Sequence, residues 1–300
     1  MARFASAIAT SHLWALQRAR LAFHVGLSDR DRSLPSLAER SVLQLRGAQG
    51  SLEGRLYRPT GVPPDAPLLL FFHGGGFVVS DLDTHEALCI RLADAGRMRV
   101  LSSSYRLAPE HRFPAQLDDA LAVTRQVLDE GLAGPPGLAI GGDSAGAYIA
   151  ASTAASISRE VPGAITAQLL LYPLLQLDEE VWASSILRQT RVLGWAATRY
   201  IKAQILDAGA SVPSLLAPSA VAPLPTVIAT GGVLDPVRED ALVLVEQLRG
   251  AGATVALREY PGLIHGFGNL THASRTARDA VAEVGGLIGA ATRGLESVTA

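Results

Sequence analysis

Residues 141–146 read Gly-Gly-Asp-Ser-Ala-Gly, a G-x-S-x-G pattern with Gly142 and Gly146 flanking Ser144. A serine hydroxyl attacks carbonyl carbon only when a base takes its proton and a carboxylate orients that base. The pattern follows the apolar run Leu138–Ile140 and precedes the alanine-rich Ala145–Ser156, so it lies at a strand–turn–helix junction. A sharp turn there lifts the serine out of a sheet. Its neighbours must lack bulk so that strand and helix pass closely, and the helix N-terminus points N–H groups at developing negative charge. A tight βα turn without chemistry has the same local pattern, so the partners of Ser144 decide.

A second glycine cluster, Gly74-Gly75-Gly76, follows the apolar Leu68–Phe72 and His73. Consecutive glycines are costly in backbone entropy and make sense where the main chain itself faces a ligand. The N–H groups of Gly75 and Gly76, with that of Ala145, suit the oxygen of a tetrahedral intermediate, and Gly74 shapes the turn. One such donor contributes about 3–4 kcal/mol to a transition state. A phosphate loop would continue with Lys-Ser/Thr, whereas Phe77-Val78-Val79 follows here.

The expected chain order is Ser, acid, His. Downstream of Ser144 lie His265, just after an apolar run and flanked by Gly262 and Gly266, and His272, at the start of the last helical pattern. His265 is the better-placed base. Upstream, His73 reads as shaping the glycine loop by hydrogen bonding, and His85 as part of a helix start; His111 also lies upstream. Asp235, after Pro225–Leu234, is the preferred acid, with an N-cap to the next helix as its alternative role. Asp178, Glu239 and Asp240 compete with it.

The elements that must position these residues alternate. Apolar runs at Leu68–Phe72, Val100–Ser104, Leu138–Ile140, Gln168–Tyr172, Thr226–Thr230 and Thr254–Glu259 read as strands covered on both faces. Helical patterns lie between them: Leu117, Leu121 and Leu128 after Pro114 and before Gly131; Ala241, Leu244 and Leu248 after Pro236; and Ala277, Val281, Val284 and Ile288. The fold class is α/β, with a mostly parallel sheet. Ser41–Arg46 and Leu52–Arg58 read as an antiparallel pair at one edge. About 1–40 and 178–211 fall outside the alternation and are expected to form a helical cap over the C-terminal strand ends, within a single domain spanning 1–300. Trp14, Phe23, Phe77, Trp182, Trp195 and Tyr200 are candidate pocket residues, each equally compatible with core.

The chain has 300 residues, 48% of them hydrophobic and 18% charged, with a net charge of −2. That supports a sizeable core and offers no basic excess for nucleic acid. No apolar run reaches the roughly 18 residues of a membrane span. The single cysteine, Cys89, cannot form an intrachain disulfide, and a cytoplasmic protein is expected. Arg3, Arg18 and Arg20, with no acid before Asp29, resemble a transit peptide. The preferred reading is a helix packed on the domain through Phe4, Ile8, Leu13, Trp14 and Leu21.

Together, "HGGGF" (73–77), "YRLAPEHRFPA" (105–115), "GDSAG" (142–146), "DPVRED" (235–240) and "HGF" (265–267) make the chain resemble the hormone-sensitive-lipase-like esterases, family IV of the bacterial lipolytic enzymes. The resemblance implies an α/β-hydrolase fold with a cap, neither cofactor nor metal, and hydrolysis of small-molecule carboxylic esters with short to medium acyl chains. It implies Ser144, Asp235 and His265 as the triad, and Gly75, Gly76 and Ala145 as the oxyanion hole. It implies Tyr105, Arg106 and Glu110 as braces of the nucleophile region through Asp143, and a homodimer formed through the last strand. Amide, lactone or carbamate hydrolysis would use the same triad. A non-catalytic receptor on this fold, as among plant gibberellin receptors, is disfavoured by the presence of His265. Ala147, Ser80 and Glu239-Asp240 depart from the commoner family residues without touching the triad.

Overall fold

The computed structural model describes residues 15–22, 24, 33–135, 137–177, 195–207, 209–217 and 219–294, with the backbone alone at 195–197. Trp14, Phe23 and Trp182 lie outside the described residues, as do Phe4, Ile8, Leu13, Asp178 and the Trp195 side chain.

Eight strands form one sheet: β1 (Leu37–Gly47), β2 (Gly50–Pro59), β3 (Leu68–Phe72), β4 (Arg99–Ser103), β5 (Leu138–Asp143), β6 (Ile165–Leu171), β7 (Thr226–Gly231) and β8 (Val255–Tyr260). Their order is β1-β2-β4-β3-β5-β6-β7-β8. β1 pairs antiparallel with β2, and β2 with β4; every later pairing is parallel. β3, β4 and β5 are buried along their whole length; the all-apolar Leu68–Phe72 shows this in its sequence, whereas β4 and β5 also bury Arg99, Ser102, Ser103 and Asp143. β1 instead alternates along most of its length, as an edge strand does, and starts at Leu37, four residues before the strand expected at Ser41.

Among the described residues, α1 (Glu86–Gly96), α2 (Ala115–Asp129), α3 (Ala145–Glu160), α4 (Trp195–Ile205) and α5 (Arg238–Gly250) lie between strands, and α6 (Arg275–Thr292) follows β8. α1 packs on α6, and α2 packs on α3. The core side of α6 is the predicted Ala277, Val281, Val284 and Ile288 stripe, and α5 buries Ala241, Leu244 and Leu248. α2 differs from expectation. Its fully buried residues include Gln116, Asp119, Ala120, Val123 and Val127, while Leu117, Leu121 and Leu128 are only partly buried. The shift has a polar cause. Asp119 accepts from the Ala48 and Arg106 main chain and from the Arg106 side chain, and Gln116 donates to the Arg106 and His111 carbonyls. These bonds let Asp119 and the Gln116 amide nitrogen be buried, although the Gln116 side-chain oxygen is buried without a partner among the described residues.

Residues 15–22 form part of a helix, in which Leu16 is buried and Leu21 is 62% exposed. The expected contact of Leu21 with the domain is therefore corrected. Arg20, one helical turn from Leu16, fixes the facing side: it donates to the Val78 and Ala108 carbonyls at 2.9 and 2.8 Å and pairs with Glu110 at 2.7 Å. No described helix is long and apolar enough to cross a membrane.

The tightest crossing lies between β3 and α3. A Cβ on Gly146 would sit 2.0 Å from the Phe72 carbonyl oxygen and 2.6 Å from that of His73. These are backbone atoms and cannot rotate away. Gly146→Ala should therefore lose at least the ~1–3 kcal/mol typical of overpacking. Urea unfolding should show this as a lower midpoint with an unchanged slope.

Candidate active site

Four loops at the C-terminal ends of β3, β5, β7 and β8 bring the predicted residues together. Ser144 links β5 to α3 with φ +51° and ψ −117°, a backbone region that costs a non-glycine residue on the order of 1–3 kcal/mol. The surrounding main chain holds it there. The Ser144 N–H donates to the Leu171 carbonyl, and its own carbonyl accepts from Ala147 and Leu174.

Ser144 Oγ lies 2.9 Å from His265 Nε2, and His265 Nδ1 lies 3.1 Å from Asp235 Oδ1. All three residues are buried. With Asp235 ionised, Nδ1 carries the ring proton and donates to it, which leaves Nε2 as the acceptor for the Ser144 hydroxyl. The Asp235 carboxylate also accepts from the Gly231 and Val237 N–H groups. It thus holds its own turn, while α5 itself begins at Arg238 after an N-cap at Val237. The Gly232 N–H donates to the Leu263 carbonyl and ties the Asp235 loop to the His265 loop. Tyr172 packs its ring edgewise against His265 at 5.1 Å and accepts from the Gly268 N–H.

Of the competing acids, Asp240 is bonded to Gln176 and Glu239 to Arg238. His272 is exposed in the turn ahead of α6, three residues before Arg275, rather than in its first turn.

The glycine loop runs beside Ser144. Gly75 and Gly76 have φ +110° and +62°, conformations that favour glycine, and both line the cavity above the serine. Among the described residues, no acceptor faces the N–H of Gly75, Gly76 or Ala145. The Gly74 N–H donates to Asp143 Oδ1 at 2.8 Å. His73 donates to the Gly74 carbonyl through Nδ1, and burial pushes its pKa down to about 4. Tyr105 stacks on His73 and donates to its carbonyl. Tyr105 therefore does brace the loop. Arg106 and Glu110 do not reach Asp143: Arg106 pairs with the buried Asp119 and Glu110 with Arg20. Instead, His85 pairs with Asp143, at 3.1 Å. The sequence around His85 reads as a helix start, and the one local signal to the contrary is a histidine at an N-cap, where Ser, Thr, Asp and Asn are the rule.

The cavity is about 520 Å³, with a mostly apolar wall. Tyr200 lines it, as expected; Ala19, Ile201, Val78, Val79 and Leu270 do so as well. Phe77 does not. At φ +65° its side chain turns into the core, edge-on to Phe113 and Tyr148. Among the described residues, one group of metal-ligand type, His24, Asp81 and Asp83, comes together, and its charges are already matched by the His24–Asp81 contact and by Arg55 on Asp83.

With this geometry, the matching family model, described as alpha/beta hydrolase fold, covers residues 69–269. The chain belongs to the alpha/beta hydrolase fold family, in its hormone-sensitive-lipase-like branch. It is 37% identical over 242 residues to the carboxylic ester hydrolase LipN of Mycobacterium tuberculosis, covering 76% of this chain and 64% of that protein's length. It is 36% identical to the esterase LipI of the same organism, over 75% of this chain and 73% of the relative. A solved ester hydrolase from the Lake Arreo metagenome superposes with a TM-score of 0.81 at 28% identity, covering 92% of this chain and 90% of the other.

The two acids next to the chemistry respond to pH in the same sense. Burial works to raise Asp235, but His265 and the Gly231 and Val237 N–H groups outweigh it and hold the carboxyl below its ordinary 3.8. Asp143 is likewise held low against its burial, by His85 and the Gly74 N–H. Their stabilisation is present above the unfolded value and lost as pH falls through the lower folded value. The thermal midpoint of Asp143→Asn should lie below the parent's at neutral pH, and the gap should close below about pH 4. Melting curves across that range test it.

Proposed function

We propose that the chain is a serine carboxylesterase acting on esters with short to medium acyl chains. The observation that carries this reading is the aligned relay from Ser144 Oγ to His265 Nε2 and from His265 Nδ1 to Asp235 Oδ1, at 2.9 and 3.1 Å. In the first step His265 takes the Ser144 proton as Oγ bonds to the ester carbonyl carbon. The carbonyl oxygen gains the negative charge and is met by the N–H groups of Gly75, Gly76 and Ala145. His265 then passes its proton to the leaving alcohol as the C–O bond breaks. Water attacks the acyl-serine with His265 again as base, and the carboxylic acid leaves. Asp235 keeps the imidazole in the working tautomer and stabilises the imidazolium. Activity falls at low pH, because only a neutral ring accepts the serine proton.

The same cavity supports the substrate class. Its volume of about 520 Å³ suits a small ligand, and its wall offers few polar groups to anything but the ester itself. Ala19 and Tyr200, from the two segments outside the α/β alternation, both line it. That supports the reading of about 1–40 and 178–211 as a cap, with the α/β core and cap in one domain. Two finer readings complete the proposal: a cytoplasmic protein, and a homodimer joined along the free edge of β8, the last strand in the order of the sheet.

Ser144→Ala, folded, should lose about 10⁶-fold in kcat on a small aryl ester, and only the parent should gain the covalent mass of an organophosphorus probe. A variant that turns over at the parent rate sinks the assignment. Across aryl esters of increasing acyl length, kcat/KM should peak at short to medium chains. A rising rate on long, emulsified chains would mark a lipase, and a preference for amides or lactones a related hydrolase.

A further inference from the structure

His85 lines the same cavity as Ser144 but takes no part in the Ser144–His265–Asp235 relay. It holds the N-cap position of α1, yet its side chain makes no cap bond. The ring turns inward, only 1% exposed, and forms part of the cavity wall. Its Nδ1 lies 2.9 Å from Thr84 Oγ1, and its Nε2 lies 3.1 Å from Asp143 Oδ1 and 3.0 Å from the Asn269 side-chain amide. Asp143 Oδ1 is the same oxygen that accepts from the Gly74 N–H.

These contacts fix a proton on Nε2. A buried, ionised carboxylate can only accept, so the nitrogen facing it must donate. Asn269 Nδ2 is the atom at 3.0 Å from this nitrogen, and Oδ1 is buried without a partner among the described residues; turning the amide over lets the oxygen meet that N–H. One carboxylate oxygen is thereby shared between a donor on α1 and a donor in the glycine loop. The loop is also packed directly on this group: a Cβ on Gly74 would lie 2.6 Å from Asp143 Oδ2.

We propose that His85 is a positioning residue for the oxyanion loop, holding Asp143 in the rotamer that fixes Gly74 and so aims the Gly75 and Gly76 N–H groups; this rests on the esterase reading of Ser144. Without the His85 donor, the buried Asp143 carboxylate is left short of a partner and turns to find one. Gly74 then loses its anchor, and the loop shifts. Oxyanion donors act at about 2.7–3.1 Å, so a displacement of about 1 Å is felt in the transition state far more than in substrate binding.

The test compares the parent, His85→Phe and His85→Gln on a small aryl ester. Thermal midpoints are recorded alongside, and the rate of Ser144 labelling by an organophosphorus probe is followed by mass spectrometry. His85→Phe should lower kcat by about 10- to 100-fold with KM within about twofold, and should slow labelling in parallel, since the phosphoryl oxygen occupies the oxyanion site. His85→Gln, whose amide N–H reaches toward Asp143, should recover most of the loss. A purely structural histidine would lower the midpoint without this split or this rescue. Parent-like kcat in His85→Phe, a loss confined to KM, or a Gln variant as impaired as Phe overturns the inference. If His85→Phe does not fold, His85→Asn, too short to reach Asp143, takes its place. A parent that neither hydrolyses esters nor takes the label overturns the esterase reading and this inference with it. An active parent with an unimpaired His85→Phe overturns this inference alone.

Discussion

The crossing of α3 over the end of β3, where Gly146 touches the Phe72 and His73 carbonyls, is the constraint on which the site depends. To reach that contact directly after β5, the chain must reverse within a residue or two, and Ser144 absorbs the reversal at φ +51°. The strain is therefore set by packing between two large elements. It is sustained because β3, β5 and α3 are all buried and none can yield without opening the core. The same crossing puts the first N–H groups of α3 next to the glycine loop that leaves β3. The proposed nucleophile and the proposed anion-binding donors thus arise from one packing decision.

The other half of the site is built from softer parts. Asp235 and His265 sit on loops leaving β7 and β8, and these are joined by the Gly232–Leu263 hydrogen bond. Tyr172, at the end of β6, fills the space between them and the nucleophile by packing on His265. The parallel sheet aligns four strand ends, and short main-chain bonds between neighbouring loops do the fine positioning. Each of the two carboxylates faces one imidazole: His265 faces Asp235, and His85 faces Asp143. Each buried acid thereby has an aromatic donor in a region that otherwise offers little solvation.

Much of this was legible in the sequence, because the informative residues act locally. Gly142 and Gly146 around Ser144, the three glycines after β3, and a histidine just past the last strand each announce a backbone requirement that a few neighbouring residues reveal. What was not legible depends on partners distant in sequence. The leucines of α2 promised a core face, but Asp119 and Gln116 find buried partners on Arg106, Ala48 and His111 and rotate the helix. Phe77 reads as a pocket residue until the turn at φ +65° sends it into the core. Arg106 and Glu110 belong to one motif, yet one binds α2 and the other Arg20, 90 residues away. His85 looks like a helix start because its neighbours are those of a helix start; its contacts with Asp143 and Asn269 span 58 and 184 positions.

Asp235 has two employments, and His265 has one. Half of the hydrogen bonds to the aspartate come from Gly231 and Val237 and hold a turn that the sheet needs whatever the protein does. Among the described residues, the polar contacts of the His265 ring lead to Ser144 and Asp235 alone. The two residues therefore carry different information when this architecture drifts toward other uses. A descendant freed from the reaction would go on needing the aspartate for folding and could discard the histidine at little structural cost, so the histidine is the honest witness of chemistry in this fold.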